Sequence, residues 1–153
     1  MLRRKNYNFS RRGAPALPQP RAAATVKLQP DRIEGFNAIT AFVPGLVKVN
    51  GLPHTTSLIL PWRGDVLAWP CGAFDQLRAG HFEQLLPLAP ELVIFGSGQR
   101  LRFVAPALLR ALIERRIGVE TMDTAAACRT YNVLAAEGRA VVAALLIEAP
   151  GFT

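Results

Sequence analysis

A chain of 153 residues, half of them hydrophobic and 19% charged, has the size and balance of a globular protein with one sizeable core, which excludes a wholly disordered chain. Its longest apolar run, residues 140–147, falls far short of the roughly 20 residues that cross a bilayer as a helix, so no transmembrane segment is expected. The formal net charge of +7 is unevenly placed: residues 1–32 hold eight bases and one acid, whereas from Ile33 onward ten bases face ten acids, so contact with nucleic acid would rest on the N-terminal arm alone and no specific nucleic acid is expected.

Residues 1–25 are rich in Pro, Arg and Ala and carry no hydrophobic period, the composition of a disordered basic arm. Gly13, Pro15, Pro18 and Pro20 interrupt any secretory apolar stretch, and the three prolines argue against a long amphipathic transit helix. Arginine outnumbers lysine fifteen to three, a bias of GC-rich bacterial genomes, so the expected compartment is the cytoplasm, with the mitochondrion the alternative for a eukaryotic source. A single α/β domain is expected over residues 26–153.

Ala38 to Val43, Leu46 to Val49 and His54 to Leu60 are β-like, punctuated by Pro44-Gly45 and Asn50-Gly51. Asn-Gly suits a tight hairpin because both residues take positive φ at low cost, so an antiparallel meander is expected, with a further short strand at Asp65 to Trp69. Trp62 and Trp69 would mark an interaction patch if exposed. From Ala73 to Leu86 the period becomes helical, with Phe74, Leu77, Phe82, Leu85 and Leu86 as the buried set. Glu91 to Phe95 is an apolar run between Pro90 and Gly96 and reads as a buried strand. A helix is expected from Pro106, stopped by Gly118. Val119 to Met122 follows as a strand, then a helix from Asp123-Thr124 to about Glu137, and Ala140 to Ile147 as the last strand. The alternation strand, helix, strand, helix, strand predicts a three-layer α/β domain. Its central mixed, largely parallel sheet is flanked by helices and joined by the antiparallel N-terminal meander.

Two segments can carry chemistry. Gly96-Ser97-Gly98 follows the buried strand, at the carboxyl edge where open α/β sheets take ligands. It is either a plain turn or a loop for a small anion helped by Arg100 or Arg102, since Leu101 stands where the dinucleotide fingerprint needs glycine. The run from Met122 to Asn132 spans a strand end and a helix start. There Asp123 or Thr124 either caps the helix or leaves its amides free for an anion, and Thr130 and Asn132 would join Asp123 in a polar network. Cys128, with Tyr131 and Ala135 at helical spacing, reads as buried and inert. His81 reads as a capping or surface residue. Cys71, Cys128, His54 and His81 stand far apart with no metal-ligand spacing, so neither metal nor cofactor is expected.

Leu28-Gln29-Pro30 with Ile33 to Ala38, the Gly96-Ser97-Gly98 turn, and above all Met122-Asp123-Thr124 through Ala127-Cys128 to Thr130-Tyr131-Asn132 resemble a known family. It is the domain of unknown function 498, typed by a small methanogen protein and similar to mitochondrial complex I assembly factor three. The resemblance covers roughly residues 26–148. It implies a three-layer α/β fold with a central mixed sheet, no established enzymatic activity and no agreed catalytic residues, and it implies protein partners. The leading expectation is therefore a non-enzymatic protein-interaction or assembly-factor-like protein related to the respiratory complexes. The alternative is a small polar or anionic ligand-binding protein, or an enzyme, built on Gly96, Ser97, Gly98, Arg100, Asp123, Thr124, Arg129 and Asn132.

Overall fold

The computed structural model describes residues 35–149; the expected arm at 1–25, the domain start at Val26 and the Leu28-Gln29-Pro30 motif lie outside the described residues. Strands β1 (Ile39–Val43), β2 (Leu46–Val49) and β3 (Leu52–His54) form an antiparallel three-stranded sheet in chain order. Asn50 and Gly51 have φ of 51° and 80°, the paired positive values that a two-residue hairpin needs if its strands are to keep their right-handed twist.

A second sheet contains β4 (Leu58–Pro61), β5 (Leu67–Ala68), β6 (Leu92–Gly96), β7 (Gly118–Met122) and β8 (Val141–Leu145), in the order β5-β4-β8-β6-β7. The three strands β8, β6 and β7 run parallel, while β4 lies antiparallel to both β8 and β5. Parallel neighbours need crossovers, and helices α2 (Arg110–Glu114) and α3 (Thr124–Ala136) lie on the β6-to-β7 and β7-to-β8 connections; the short α1 (Ala79–Glu83) precedes β6. The mixed α/β architecture and the antiparallel meander agree with the reading of the sequence.

The period of two along β8 explains the layers. Val141, Ala143 and Leu145 face one way, into a cluster with Ile39, Val47, Leu60, Ile94, Cys128 and Tyr131. Val142, Ala144 and Leu146 face the other way, against Trp69, Phe82, Phe95 and Leu112. A strand buried on both faces must be apolar at every position, which is why β8 shows no polar alternation. Trp69, Phe82 and Phe95 meet edge-to-face with centroids 5.4–6.1 Å apart, the arrangement favoured by ring quadrupoles.

Several expected elements are corrected. His54 to Leu60 is not one strand: His54 ends β3, and Leu58 begins β4 in the other sheet. Ser57 turns the chain between them, its Oγ accepting from the Ile147 amide at 3.0 Å and its carbonyl from the Trp69 amide at 3.0 Å. The helix expected from Pro106 begins as a 3-10 turn and becomes α2 only at Arg110. Its left-handed stop is Arg116, at φ 57°, rather than Gly118, which opens β7. The Arg116 amide donates to Ile113 at 3.0 Å and the Ile117 amide to Leu112 at 3.0 Å, closing the turn two residues early. Trp69 is buried, with its indole N–H donating to the His81 carbonyl at 3.0 Å, and so forms no exposed patch. Trp62 is half-buried and carries the Arg63 guanidinium 4.3 Å from its ring centre. His81 caps its own turn: its Nδ1 accepts from the Arg78 amide at 2.9 Å, which leaves Nε2 to donate to the Pro70 carbonyl at 2.9 Å.

Candidate functional site

The carboxyl ends of β6 and β8 and the start of α3 converge on Gly96, Ser97, Gly98 and Thr124. A Cβ on Gly96 would stand 3.1 Å from the Thr124 Cα and 3.0 Å from a Leu145 methyl, so the absence of a side chain there lets the helix approach the strand. Asp123 caps α3, its carboxylate accepting from the Ala126 amide at 2.8 Å. The Thr124 amide donates to the Gly98 carbonyl at 2.8 Å. The buried Thr124 hydroxyl donates to the Leu146 carbonyl at 2.8 Å and accepts from the Gly98 amide at 3.0 Å. One side chain thus ties strand end, turn and helix start together.

Ser97 repeats this on the other side of the turn. Its buried hydroxyl donates to the Arg100 carbonyl at 2.7 Å, with the Met122 carbonyl at 3.1 Å, and accepts from the Arg102 amide at 2.9 Å. The Ser97 amide donates to the Met122 carbonyl at 2.8 Å. Arg102 folds back so that its guanidinium donates to the Ser97 carbonyl at 2.8 Å, pairs with Glu148 and lies 4.6 Å from the Phe74 ring centre. The amides of Ser97 and Gly98, and those of Thr124 and Ala126 in the helix start, are therefore all engaged within the chain.

The remaining candidates divide. Arg100 contributes its carbonyl to this junction and holds its side chain in solvent. Arg129 and Asn132 lie further along α3, beside β1. Asn132 does not join Asp123: its Oδ1 accepts from the Ile39 amide at 2.9 Å and its Nδ2 donates to the Ile39 carbonyl at 2.8 Å. The helical rise of 1.5 Å per residue carries it too far from the cap to share that network.

Inspection of residue types missed Glu148 and the chain that Arg102 pins. Arg102 turns inward, so its neighbours Leu101 and Phe103 turn outward and stand 51% and 71% exposed. Apolar–basic alternation in a loop gave no sign of this, because the same pattern describes an ordinary edge strand.

Burial pushes the Cys128 thiol up to about 12, against a smaller lowering pull from Arg129. Burial likewise raises the Tyr131 phenol, whose hydroxyl donates to the Asn37 carbonyl at 2.9 Å. Cys71 is also raised by burial. It sits in the cluster on the opposite sheet face from Cys128, so the two free thiols are no disulfide pair, and the protonated Cys128 is unsuited to nucleophilic work. A consequence for stability follows. The ordinary thiol value is 9.0, so the unfolded chain releases the Cys128 proton first as pH rises. The stabilisation from burying the neutral thiol is whole below pH 9 and is lost between 9 and 12, by about 1.4 kcal/mol per pH unit. Urea midpoints at pH 8 and pH 9.8 should show the decline, and Cys128→Ala should make it shallower, the remainder including Cys71; an unchanged slope would remove Cys128 as a source.

Among the described residues no helix is long and apolar enough to cross a membrane, and no three His, Cys, Asp or Glu side chains gather as metal ligands would.

The closed turn at a mixed sheet, capped by a helix carrying Asp123, Cys128 and Asn132, belongs to a defined class of small α/β proteins. The chain is a member of the family described as protein of unknown function (DUF498/DUF598), whose model matches residues 39–146. It is 40% identical over 90 residues to the Bos taurus protein named NADH dehydrogenase [ubiquinone] 1 alpha subcomplex assembly factor 3, covering 58% of this chain and 48% of that one. This chain thus spans about half the length of the assembly factors it matches. It is 33% identical over 112 residues to an uncharacterised protein of Rhodobacter capsulatus, covering 73% of this chain and 86% of the other. A crystal structure of a Bordetella parapertussis protein superposes with a TM-score of 0.72 at 38% identity, covering 76% of this chain and 99% of that one.

Proposed function

We propose that this chain acts as a non-enzymatic, assembly-factor-like protein that docks onto protein partners, subunits of a respiratory NADH dehydrogenase among them, and that it does so in the cytoplasm. The observation that carries the reading is the ridge formed by Leu101 and Phe103. Two large apolar side chains stand in solvent, half and nearly three-quarters exposed, on a turn held from behind by Ser97 and by the Arg102 guanidinium. Anchoring removes much of the entropy that docking would otherwise cost, which makes a rigid apolar ridge a better binding element than a loose loop. The names of the eukaryotic relatives support the choice of partner class. The small-ligand reading loses support at the same turn, because the amides of Ser97, Gly98, Thr124 and Ala126 already donate within the chain.

Burying two such side chains is worth roughly 1.5–3 kcal/mol each at full burial, so their loss should weaken docking by at least about tenfold. The full chain, tagged and used as bait in lysate from its own source cells, is expected to enrich NADH dehydrogenase subunits by mass spectrometry. A Leu101→Ser/Phe103→Ser double variant with unchanged thermal midpoint is expected to lose them. Equal recovery by the double variant, or none of these subunits with the parent chain, would count against the proposal.

A further inference from the structure

Among the described residues, strand β1 pairs on one side only, with β2. The two-residue turn at Pro44-Gly45 makes Val43 and Leu46 the closing pair of that hairpin, and Phe42 stands opposite Val47. Backbone groups in an antiparallel pair alternate in direction, so Phe42 turns its N–H and C=O away from β2. At the other end of the same edge, Ile39 has both of its backbone groups taken by the Asn132 amide, at 2.9 and 2.8 Å. One side chain there supplies the donor and the acceptor that a neighbouring strand would bring. Between these points the register shifts at a bulge around Thr40, and the edge continues along a cleft of about 260 Å³. The far wall is α3, through Ala125, Cys128 and Arg129.

Three features of the cleft select an occupant. Its edge presents the Phe42 backbone pair, its lining includes the apolar Ile39, Phe42 and Cys128, and its rim carries the exposed Arg129, which forms no ion pair with any described carboxylate. An extended chain satisfies the first by strand addition, the mode in which main-chain hydrogen bonds give affinity and the flanking groove gives selectivity. A carboxylate satisfies the third. A second copy pairing β1 with β1 would bring none, because Ile39–Val43 contains no acidic residue.

We infer that the cleft between β1 and α3 takes a short extended segment of a protein partner, added as a strand beside Phe42 with an acidic side chain facing Arg129. This deepens the reading above by naming the chemistry of the partner's segment, and it rests on that reading for the partner being a protein. It does not involve the Leu101 and Phe103 ridge.

The test uses the full chain and an array of end-blocked hexapeptides built from Val, Thr, Ile, Gly, Glu and Lys. Glu-bearing β-formers are expected to bind and their Lys counterparts to fail. The best binder should slow hydrogen exchange of the Phe42 amide by about tenfold or more. Arg129→Glu should reverse the charge preference toward Lys peptides, which damage to the fold would not do. Absence of any bound peptide, binding that leaves Phe42 exchange unchanged, or an Arg129→Glu variant that keeps the acidic preference would each overturn the inference. So would a concentration-dependent dimer that protects Phe42 without peptide, since it would assign the edge to a second copy. The Leu101→Ser/Phe103→Ser variant should bind the array as the parent chain does, so failure of the ridge and failure of the cleft are read separately.

Discussion

Replacing Thr124 by Val is expected to destabilise the protein by about 2–6 kcal/mol, because each of two buried polar groups left without a partner costs roughly 1–3 kcal/mol. Valine keeps the branched shape but removes the hydroxyl that accepts from the Gly98 amide and donates to the Leu146 carbonyl. Both groups are enclosed by the end of β6, the end of β8 and the first turn of α3, and a Gly96 Cβ would already meet the Thr124 Cα at 3.1 Å. So little clearance leaves no room for water to replace the lost bonds. Thr124→Ser keeps both bonds and removes one methyl, for about 0.8 kcal/mol. Urea unfolding should therefore rank parent, Ser and Val in that order with unchanged m-values. A Val variant as stable as the Ser variant would mean that the hydroxyl does not hold the junction.

Gly98→Val is expected to have the second large effect and to reach the surface as well. Gly98 has φ of +102°, a conformation that costs a branched residue about 1–3 kcal/mol. Its Cβ would also fall on the Glu148 carboxylate and the Arg102 guanidinium, so the ion pair cannot keep its place. With Arg102 displaced, the backing of Leu101 and Phe103 is lost. The midpoint of urea unfolding should fall, and the Arg102 amide, which donates to Ser97 Oγ at 2.9 Å, should exchange about tenfold faster. Glu148→Gln retains the side chain's shape and leaves the strain absent, so it should accelerate exchange with a much smaller loss of stability. A Gly98→Val variant with parental exchange at Arg102 would show that the turn holds the ridge without the ion pair.

The parts legible from residue types are those whose partners lie close in the chain. Asn50-Gly51 is a turn because of what those two residues allow, and Asp123 caps α3 through an amide three positions away. Local chemistry also explains why Cys128 is buried beside Tyr131, since the spacing puts both on one helical face. The same logic misplaced the stop after α2, where the left-handed residue is an arginine, because hydrogen bonds closing the turn outweighed the steric preference for glycine.

The sequence by itself determined the order of strands and helices from β6 onward, the apolar run that becomes β8 and the charge balance from Ile33 onward, because each depends on composition or on a short period. Only the tertiary structure decided that His54 and Leu58 belong to different sheets, that Asn132 reaches Ile39 across 93 positions and that Arg102 meets Glu148 across 46. It also decided that the Gly96 to Gly98 turn is closed while Leu101 and Phe103 stand outward. These outcomes follow from which strand edges meet once both faces of β8 are covered, and chain proximity carries no record of that geometry.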